Sequence, residues 1–173
     1  MNTLFIFAGL PGSGKTVLAR ALARERSAVF LRIDTIFHAL GETGCVDRAS
    51  VSRELIYRIA SDNLRLGMDV VADLVNSVEA KRVLWREAAL EVGVSFIEIE
   101  VICSDQTEHR QRVETRTPDI PGFILPTWED VVNREYDLWS AEHLVIDTAG
   151  KTIEESYAEL RSALLERGRP RPQ

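Results

Sequence analysis

Residues 9–16 read Gly-Leu-Pro-Gly-Ser-Gly-Lys-Thr and constrain the fold more than any other segment of the chain. The apolar residues 3–8 before them predict a buried strand, and residues 15–26 predict a helix. A loop of this composition between a strand and a helix matches the phosphate-binding P-loop pattern at every specified position. Its glycines let the backbone pass close to a phosphate, and the start of the helix adds unpaired N–H groups and a positive dipole end.

The P-loop predicts binding of a nucleoside triphosphate together with magnesium. Lys15 should reach the β- and γ-phosphates, and the Thr16 hydroxyl should hold the metal ion. The residues expected to contact the nucleotide in this segment are Gly9, Pro11, Gly12, Ser13, Gly14, Lys15, Thr16 and Val17. A glycine-rich turn that merely joins a strand to a helix is the alternative, and the full match with both flanking elements argues against it. The sequence does not separate ATP from GTP, because backbone contacts to a base leave little trace in side chains.

Strands and helices alternate along the rest of the chain and predict an α/β fold. Further strands are expected at residues 29–33, 68–75, 95–103 and 144–147, and further helices at about 50–66, 77–92, 105–116, 127–140 and 152–167. This alternation implies a parallel sheet with helices on both faces and a ligand site at the carboxyl ends of the strands. No repeat or linker divides the 173 residues, so we expect a single domain, 1–173, with a frayed tail at 168–173.

Single residues mark several element ends. Asp105 and Thr127 are expected to cap the helices that follow them, and Gly67 and Gly93 to end the helices before them. Asn76 follows a strand, and capping the next helix is favoured over contact with substrate.

The charge balance bears on partners. The chain has 21 Lys and Arg against 27 Asp and Glu, a formal net charge of −6. Proteins that hold long nucleic acids usually present a basic face, so a small ligand is expected instead. No apolar run approaches the ~20 residues needed to span a bilayer, and no export signal is evident, so we expect a cytoplasmic protein. Cys45 and Cys103 form neither a disulfide framework nor a metal-ligand spacing, and we expect reduced thiols.

Three features together resemble the small P-loop kinases: the P-loop, the segment Arg32-Ile33-Asp34-Thr35-Ile36, and a late arginine-bearing helix followed by a proline-rich loop. This group includes gluconate and shikimate kinases, chloramphenicol phosphotransferase, polynucleotide-kinase domains and zeta-toxin-like kinases. The chain is most similar to the ATPase-like (AAA_33) members of the group. The resemblance implies a P-loop NTPase fold of three αβα layers, with a five-stranded parallel sheet in the order 2-3-1-4-5. It also implies a short arginine-bearing lid over the nucleotide, at about residues 105–128.

Two aspartates are candidates for chemistry or for metal binding. By the resemblance, Asp34 takes the proton of the acceptor hydroxyl or helps position the metal, whereas a helix N-cap is the structural alternative. Asp73 lies among apolar strand residues, where a carboxylate needs a partner. That partner is either magnesium or an arginine in a structural ion pair, and the sequence leaves both open.

The helix from Asp105 carries His109, Arg112 and Arg116 on one face. A planar, permanently charged guanidinium suits the charge that develops on a transferred phosphoryl group. A charged solvent face, with Glu108 and Arg112 as an ordinary four-spaced pair, is the alternative. The proline-rich segment 117–126 that follows predicts a lid loop, so we rank Arg112 first, then Arg116, with Arg110 behind.

The acceptor side is expected between Phe37 and Arg58, with His38 more often structural than functional. Arg134 is expected near the lid. Trp128, Tyr136 and Trp139 are expected to present an aromatic surface on one side of a helix. Core packing is favoured for these rings, and stacking of a ring on the substrate is the alternative.

The leading hypothesis is a kinase that transfers the γ-phosphoryl group of ATP or GTP to a hydroxyl of a sugar, nucleoside or antibiotic, and an antibiotic acceptor would make it an inactivating enzyme. A zeta-toxin-like or nucleic-acid-end kinase is an alternative. From another class, a nucleotide-dependent switch or accessory NTPase remains open.

Overall fold

The computed structural model describes residues 2–167. In this part of the chain the strands are β1 (Thr3–Ala8), β2 (Val29–Arg32), β3 (Val70–Asp73), β4 (Ser95–Ile102) and β5 (Leu144–Asp147). The helices are α1 (Lys15–Arg26), α2 (Ile33–Glu42), α3 (Arg48–Arg65), α4 (Glu79–Val92), α5 (Gln106–Thr115), α6 (Trp128–Val132) and α7 (Ile153–Arg167). The strands form one five-stranded parallel sheet in the order β2-β3-β1-β4-β5. The predicted α/β class and strand order are confirmed.

The sheet is buried on both faces, which explains why β1 is a continuous apolar run. Leu4 and Ile6 of β1 pack with α3 and α4, where Trp85 is fully buried. Phe5 and Phe7 point to the other face and pack with α1 and α7. Burial of each such side chain contributes about 1.5–3 kcal/mol, so these two apolar layers are a main source of stability.

Predicted caps hold the ends of several helices. The Asp105 carboxylate accepts hydrogen bonds from the backbone N–H groups of Thr107 and Glu108 at the start of α5. Thr127 and Asp130 form a capping box at α6. Gly93 ends α4 in the left-handed conformation, with φ of 77°. These predictions were correct because capping depends on local chemistry alone.

The helix predicted over residues 127–140 is wrong beyond Val132, where α6 ends. The cause is Arg82 of α4, which is fully buried and donates hydrogen bonds to the carbonyl oxygens of Asp137 (2.9 Å) and Leu138 (3.3 Å). Its guanidinium also lies 4.0 Å from the Trp139 ring centroid and 5.3 Å from that of Tyr136. Carbonyl groups of this segment therefore accept hydrogen bonds from a buried cation instead of from helical N–H groups. The rings of Tyr136 and Trp139 consequently do not lie on the face of a helix.

Two smaller expectations also differ from the structure. Asn76 does not cap α4, because the N-cap of that helix is Val78. The backbone of Asn76 is left-handed (φ 46°), and the Asn76 side-chain amide donates to the Phe7 carbonyl oxygen at 3.0 Å. Asp34 lies in the first turn of α2 and does not cap it, since the N-cap is Arg32.

The thiols of Cys45 and Cys103 are both free, as expected. Within residues 2–167, no helix combines the length and apolarity required to cross a bilayer. The predicted frayed tail, 168–173, lies outside the described residues.

Candidate active site

The carboxyl ends of β1, β2 and β3 open into a cavity of about 980 Å³, the edge of the sheet that the alternation predicted. The predicted site residues that line it are Pro11, Gly12, Gly14, Lys15, Thr16, Val17, Asp34, Arg112 and Arg116. Of the others, Gly9 and Ser13 belong to the P-loop itself, and Asp73 contacts Lys15. The structure therefore brings the whole predicted set to one place.

The P-loop requires glycine at two close approaches. Gly9 has φ of 140°, and a Cβ there would lie 2.2 Å from the Val101 carbonyl oxygen. Gly12 has φ of 86°, and a Cβ there would lie 2.5 Å from a methyl group of Val113 on α5. From the same helix, His109 Nε2 lies 2.9 Å from the Pro11 carbonyl oxygen. Helix α5 thus supports the loop from outside, which gives His109 a structural role.

Lys15 is buried and forms an ion pair with Asp73, with 3.1 Å between Nζ and Oδ1. Asp73 ends β3 beside Phe7 of β1, so the sheet register itself brings its carboxylate to the loop. An arginine was one of the two partners that the sequence allowed for Asp73. Arg32 fills that position, with 3.9 Å between its Nε and Asp73 Oδ2. Asp73 Oδ2 is buried and accepts no hydrogen bond within the described residues.

The residues around Lys15 fit a magnesium ion that arrives with a nucleotide. Among residues 2–167, no three His, Cys, Asp or Glu side chains converge as a preformed metal site. Magnesium, however, is usually held by one or two protein oxygens together with phosphate oxygens and waters. Asp73 Oδ2, which lacks a hydrogen-bond partner, and the Thr16 hydroxyl at the cavity wall supply such oxygens.

Arg32 organises the acidic side of the cavity and was not identified as a site residue from the sequence. Besides Asp73, its guanidinium lies 3.7 Å from Asp34 and donates to both oxygens of Asp119 at 2.9 Å. Arg32 therefore places its positive charge beside all three carboxylates.

The lid loop, residues 117–126, is fastened by Asp119. Arg20 of α1 donates to its carboxylate at 2.7 Å, and Arg32 of β2 donates from the other side. Partial burial acts to raise the pKa of Asp119, but the hydrogen bonds from the two arginines outweigh it and lower the pKa below its usual value. Nothing in the local sequence indicates these partners, which are 99 and 87 residues away.

The two predicted arginines of α5 differ in their contacts. Arg112 donates to the Thr148 hydroxyl (2.7 Å) and carbonyl (2.9 Å) and forms the four-spaced pair with Glu108. Arg116 has buried Nε and Nη2 atoms without hydrogen-bond partners in the described residues, although it lines the cavity. Burial lowers the pKa of Arg116, an effect that the nearby Asp34 opposes. Arg110 pairs with Glu114 at the surface.

A smaller cavity of about 240 Å³ lies beside the P-loop, against Gly14, Val17 and the start of α7. Arg112 lines both cavities. Thr148, in the turn after β5, lines the smaller one and donates from its hydroxyl to the Ser13 carbonyl oxygen at 2.9 Å.

The far part of the large cavity carries Arg53 of α3, Lys81 of α4 and Arg134 after α6. Arg53 falls within the predicted acceptor segment, and Arg134 was expected near the lid, but Lys81 was missed. His38 of that segment packs edge-on against Phe123 of the lid loop, with ring centroids 5.9 Å apart.

Comparison with sequence families gives one match, in which the model of the AAA_33 family, described as an AAA domain, covers residues 4–121. No curated protein sequence matches the chain.

Several solved structures share the fold. The APS kinase of Mycobacterium tuberculosis, solved with AMPPNP and APS, is 20% identical, with a TM-score of 0.69 over 95% of this chain and 98% of the other. A sugar kinase from Janibacter sp. is 17% identical, with a TM-score of 0.66 over 95% and 94% of the two chains. A gluconokinase from Sinorhizobium meliloti is 16% identical, with a TM-score of 0.61 over 96% and 98%. This chain therefore has the P-loop NTPase fold.

Proposed function

Because the chain belongs to the AAA_33 family of AAA domains, we propose that it is a kinase that transfers the γ-phosphoryl group of ATP or GTP to a hydroxyl of a small molecule. The observation that carries the proposal is the convergence of a P-loop, the carboxylate of Asp34 and the guanidinium of Arg116 on one cavity. The names of the fold neighbours, an APS kinase, a sugar kinase and a gluconokinase, support the same reaction class.

The donor nucleotide would lie across the P-loop. Its phosphates would be bound by the loop N–H groups, the N-terminus of α1 and Lys15, and its nucleoside would extend into the smaller cavity beside Thr148. Thr16 and Asp73 would hold a magnesium ion, which neutralises phosphate charge when bound. Asp73 pairs with the Lys15 ammonium and positions it within a buried environment, where an unpaired ammonium would be costly.

Asp34 is proposed to act on the acceptor. As the acceptor oxygen bonds to the γ-phosphorus, the bond from phosphorus to the β–γ bridging oxygen breaks, and the nucleoside diphosphate leaves. The proton of the acceptor hydroxyl passes to the Asp34 carboxylate, which must lie within hydrogen-bond reach of that hydroxyl. The half-exposed position of Asp34 in the cavity wall, beside Arg32, suits this contact.

Arg116 is proposed to stabilise the charge that develops on the transferred group. Its buried Nε and Nη2 atoms have no competing partners in the described residues, whereas Arg112 is engaged by Thr148 and Glu108. We therefore reverse the order expected from the sequence and place Arg116 before Arg112, which would hold the nucleotide at the junction of the two cavities. Asp119, through Arg20 and Arg32, would keep the lid loop closed against water.

The test is an acceptor screen with γ-labelled ATP and magnesium, followed by comparison of wild type with Asp34→Asn. Transfer to the acceptor should fall by about 10²–10⁴-fold, the usual contribution of a general base, while AMPPNP affinity stays within about twofold. Glu42→Gln, an exposed change on the same helix, is the matched control and should transfer normally.

Retained transfer in Asp34→Asn would remove this residue as the base. Nucleotide turnover that no acceptor accelerates would instead favour the switch or accessory NTPase.

A further inference from the structure

The cavity is basic although the protein is acidic. The chain has a formal net charge of −6, yet eight basic side chains and only three acidic ones line the cavity. The basic residues near the P-loop have carboxylate partners within the chain: Lys15 pairs with Asp73, Arg32 and Arg20 with Asp119, and Arg112 with Glu108. Apart from Arg116, which has no carboxylate within 4.0 Å in the described residues, the positive charge at this end is therefore compensated.

Arg53, Lys81 and Arg134, hereafter the basic cluster, are different. None of them forms an ion pair within 4.0 Å among residues 2–167, although Arg53 donates to the Ser50 hydroxyl at 3.3 Å and the charge of Arg134 helps to lower the pKa of Asp130. They come from three separate parts of the chain and line the same cavity. Partial burial and the charges of Arg53 and Arg134 lower the pKa of Lys81, and the opposing effect of Glu135 does not restore it. The positive charges of both arginines therefore act on Lys81.

Hydrogen bonds to backbone carbonyl oxygens hold the chain that carries Lys81 and Arg134. Lys81 precedes the fully buried Arg82, whose guanidinium also donates to the carbonyl oxygens of Asn76 (2.9 Å) and Ser77 (3.1 Å). The Lys81 carbonyl oxygen accepts a hydrogen bond from Tyr57 of α3 at 3.3 Å. Arg82 also fixes the chain after α6, on which Arg134 lies. These hydrogen bonds position the backbone at Lys81 and after α6, so the three cations line one cavity from fixed points on the fold.

We propose that the basic cluster binds a phosphate or sulfate group carried by the acceptor, so that the substrate is a phosphorylated or sulfated small molecule. Cationic side chains from three parts of the chain suit an oxyanion with several acceptor oxygens, which can accept a charge-assisted hydrogen bond from each of them. The identification of the bound molecule as the phosphoryl acceptor rests on the proposed function. Binding of an anion at the basic cluster does not require phosphoryl transfer. A polynucleotide end has the same chemistry, but the acidic chain disfavours a long polyanion.

The test is a titration of inorganic sulfate, and separately of inorganic phosphate, into protein saturated with AMPPNP and magnesium, followed by residue-resolved NMR. The amide signals of Arg53, Lys81 and Arg134 should shift saturably, and chloride at equal ionic strength should not reproduce the shift. Lys81→Gln and Arg53→Gln should each weaken sulfate binding about tenfold, the effect expected from loss of one charged hydrogen-bonding partner. Arg58→Gln, on α3 but exposed and paired with Glu54, is the control and should bind like wild type.

The source of the anion is tested by three further additions: glucose 6-phosphate with glucose as its neutral pair, acetate, and a 5′-phosphorylated oligonucleotide. Preference for glucose 6-phosphate over glucose that is lost in Lys81→Gln supports the proposal. Absence of a saturable shift, an equal effect of chloride, tighter binding of acetate than of sulfate, or tighter binding of the oligonucleotide than of small anions would each overturn it. Failure of phosphoryl transfer with sulfate binding intact would remove only the kinase function.

Discussion

The P-loop end of the cavity and the basic cluster are both lined by cations, but among residues 2–167 only cations at the P-loop end have aspartate partners. At the P-loop, each of Lys15, Arg20 and Arg32 lies within 4.0 Å of an aspartate. In the basic cluster, the three cations face the cavity without such partners among the described residues. A cation that holds the donor phosphates or the lid loop must keep one position through every turnover, and an internal carboxylate provides that. Arg116, which is proposed to act on the transferred group, has no such partner in the described residues. A cation that selects a substrate should have no carboxylate partner within the protein, so that the anionic group of the substrate can pair with it.

The P-loop end and the basic cluster also differ in how far apart their residues lie in the sequence. At the P-loop end the phosphate-binding loop is one continuous segment, residues 9–16, between β1 and α1, and Asp34, Asp73 and Arg116 join it from other parts of the chain. The basic cluster is assembled from α3, α4 and the chain after α6, which only the tertiary structure brings together. The following substitutions should therefore have effects confined to one end, and any effect that spreads to the other end would contradict this separation.

The largest effect is expected for Lys15→Ala. Removing the ammonium that faces the γ-phosphate should lower the transfer rate by about 10³-fold, near the upper range for loss of one preorganised donor. The substitution also leaves Asp73 with only Arg32 as a cationic partner. Single-turnover transfer to the acceptor found in the screen is the measurement. Sulfate binding at the basic cluster should be unchanged, and its loss would mean that the two ends are not separate.

Arg82→Met should be the most destabilising of these changes, by about 3 kcal/mol in the free energy of unfolding. The backbone carbonyls of Asn76, Ser77 and Asp137 would lose their buried donor. Urea unfolding measures the cost, and hydrogen exchange should show increased opening of residues 133–143. AMPPNP affinity should remain normal, whereas sulfate binding should weaken. Unchanged stability would show that these carbonyls find other partners.

Arg116→Gln should lower the transfer rate by about 10²-fold and leave the nucleotide KM within about threefold, because its guanidinium is proposed to act only on the developing charge. Arg112→Gln should instead raise the nucleotide KM, since Arg112 fixes the Thr148 turn at the smaller cavity. Arg110→Gln is the control on the same helix. The opposite pattern for Arg112 and Arg116 would restore the order expected from the sequence.

The smallest effect is expected for Asp119→Asn, because half-exposed ion pairs typically contribute about 0.2–1 kcal/mol. Hydrogen exchange of the lid loop should become a few times faster. The pKa of Asp119 is lowered by its arginine partners, so in wild type its contribution is complete above its ordinary pKa of about 3.9 and is lost as the pH falls through the lower folded-state value. Lid protection in wild type should therefore be constant from pH 5 to 8 and should converge with that of Asp119→Asn only under acidic conditions.

Local chemistry made much of this molecule predictable. The P-loop, the cap residues Asp105 and Thr127, and the glycine end of α4 were predicted correctly because each depends on a few neighbouring residues. The sheet order followed from resemblance and was confirmed.

Long-range contacts were not predictable in the same way. Residues 133–140 have a helical pattern, but buried Arg82 competes for their carbonyl groups. The Asp119 contacts depend on arginines about 90 residues away in sequence. One sequence signal could have indicated the basic cluster. Lys81 lies in the first turn of α4, where its positive charge is unfavourable beside the positive end of the helix dipole, so a functional reason for a cation at this position could have been sought.

The separation of the two ends can be measured by calorimetric titration of AMPPNP with magnesium into wild type, Lys15→Ala and Lys81→Gln. Nucleotide affinity should fall at least tenfold in Lys15→Ala and stay within about twofold in Lys81→Gln. If Lys81→Gln weakened AMPPNP as much as Lys15→Ala does, the basic cluster would belong to the nucleotide site, and its assignment to the acceptor would be wrong.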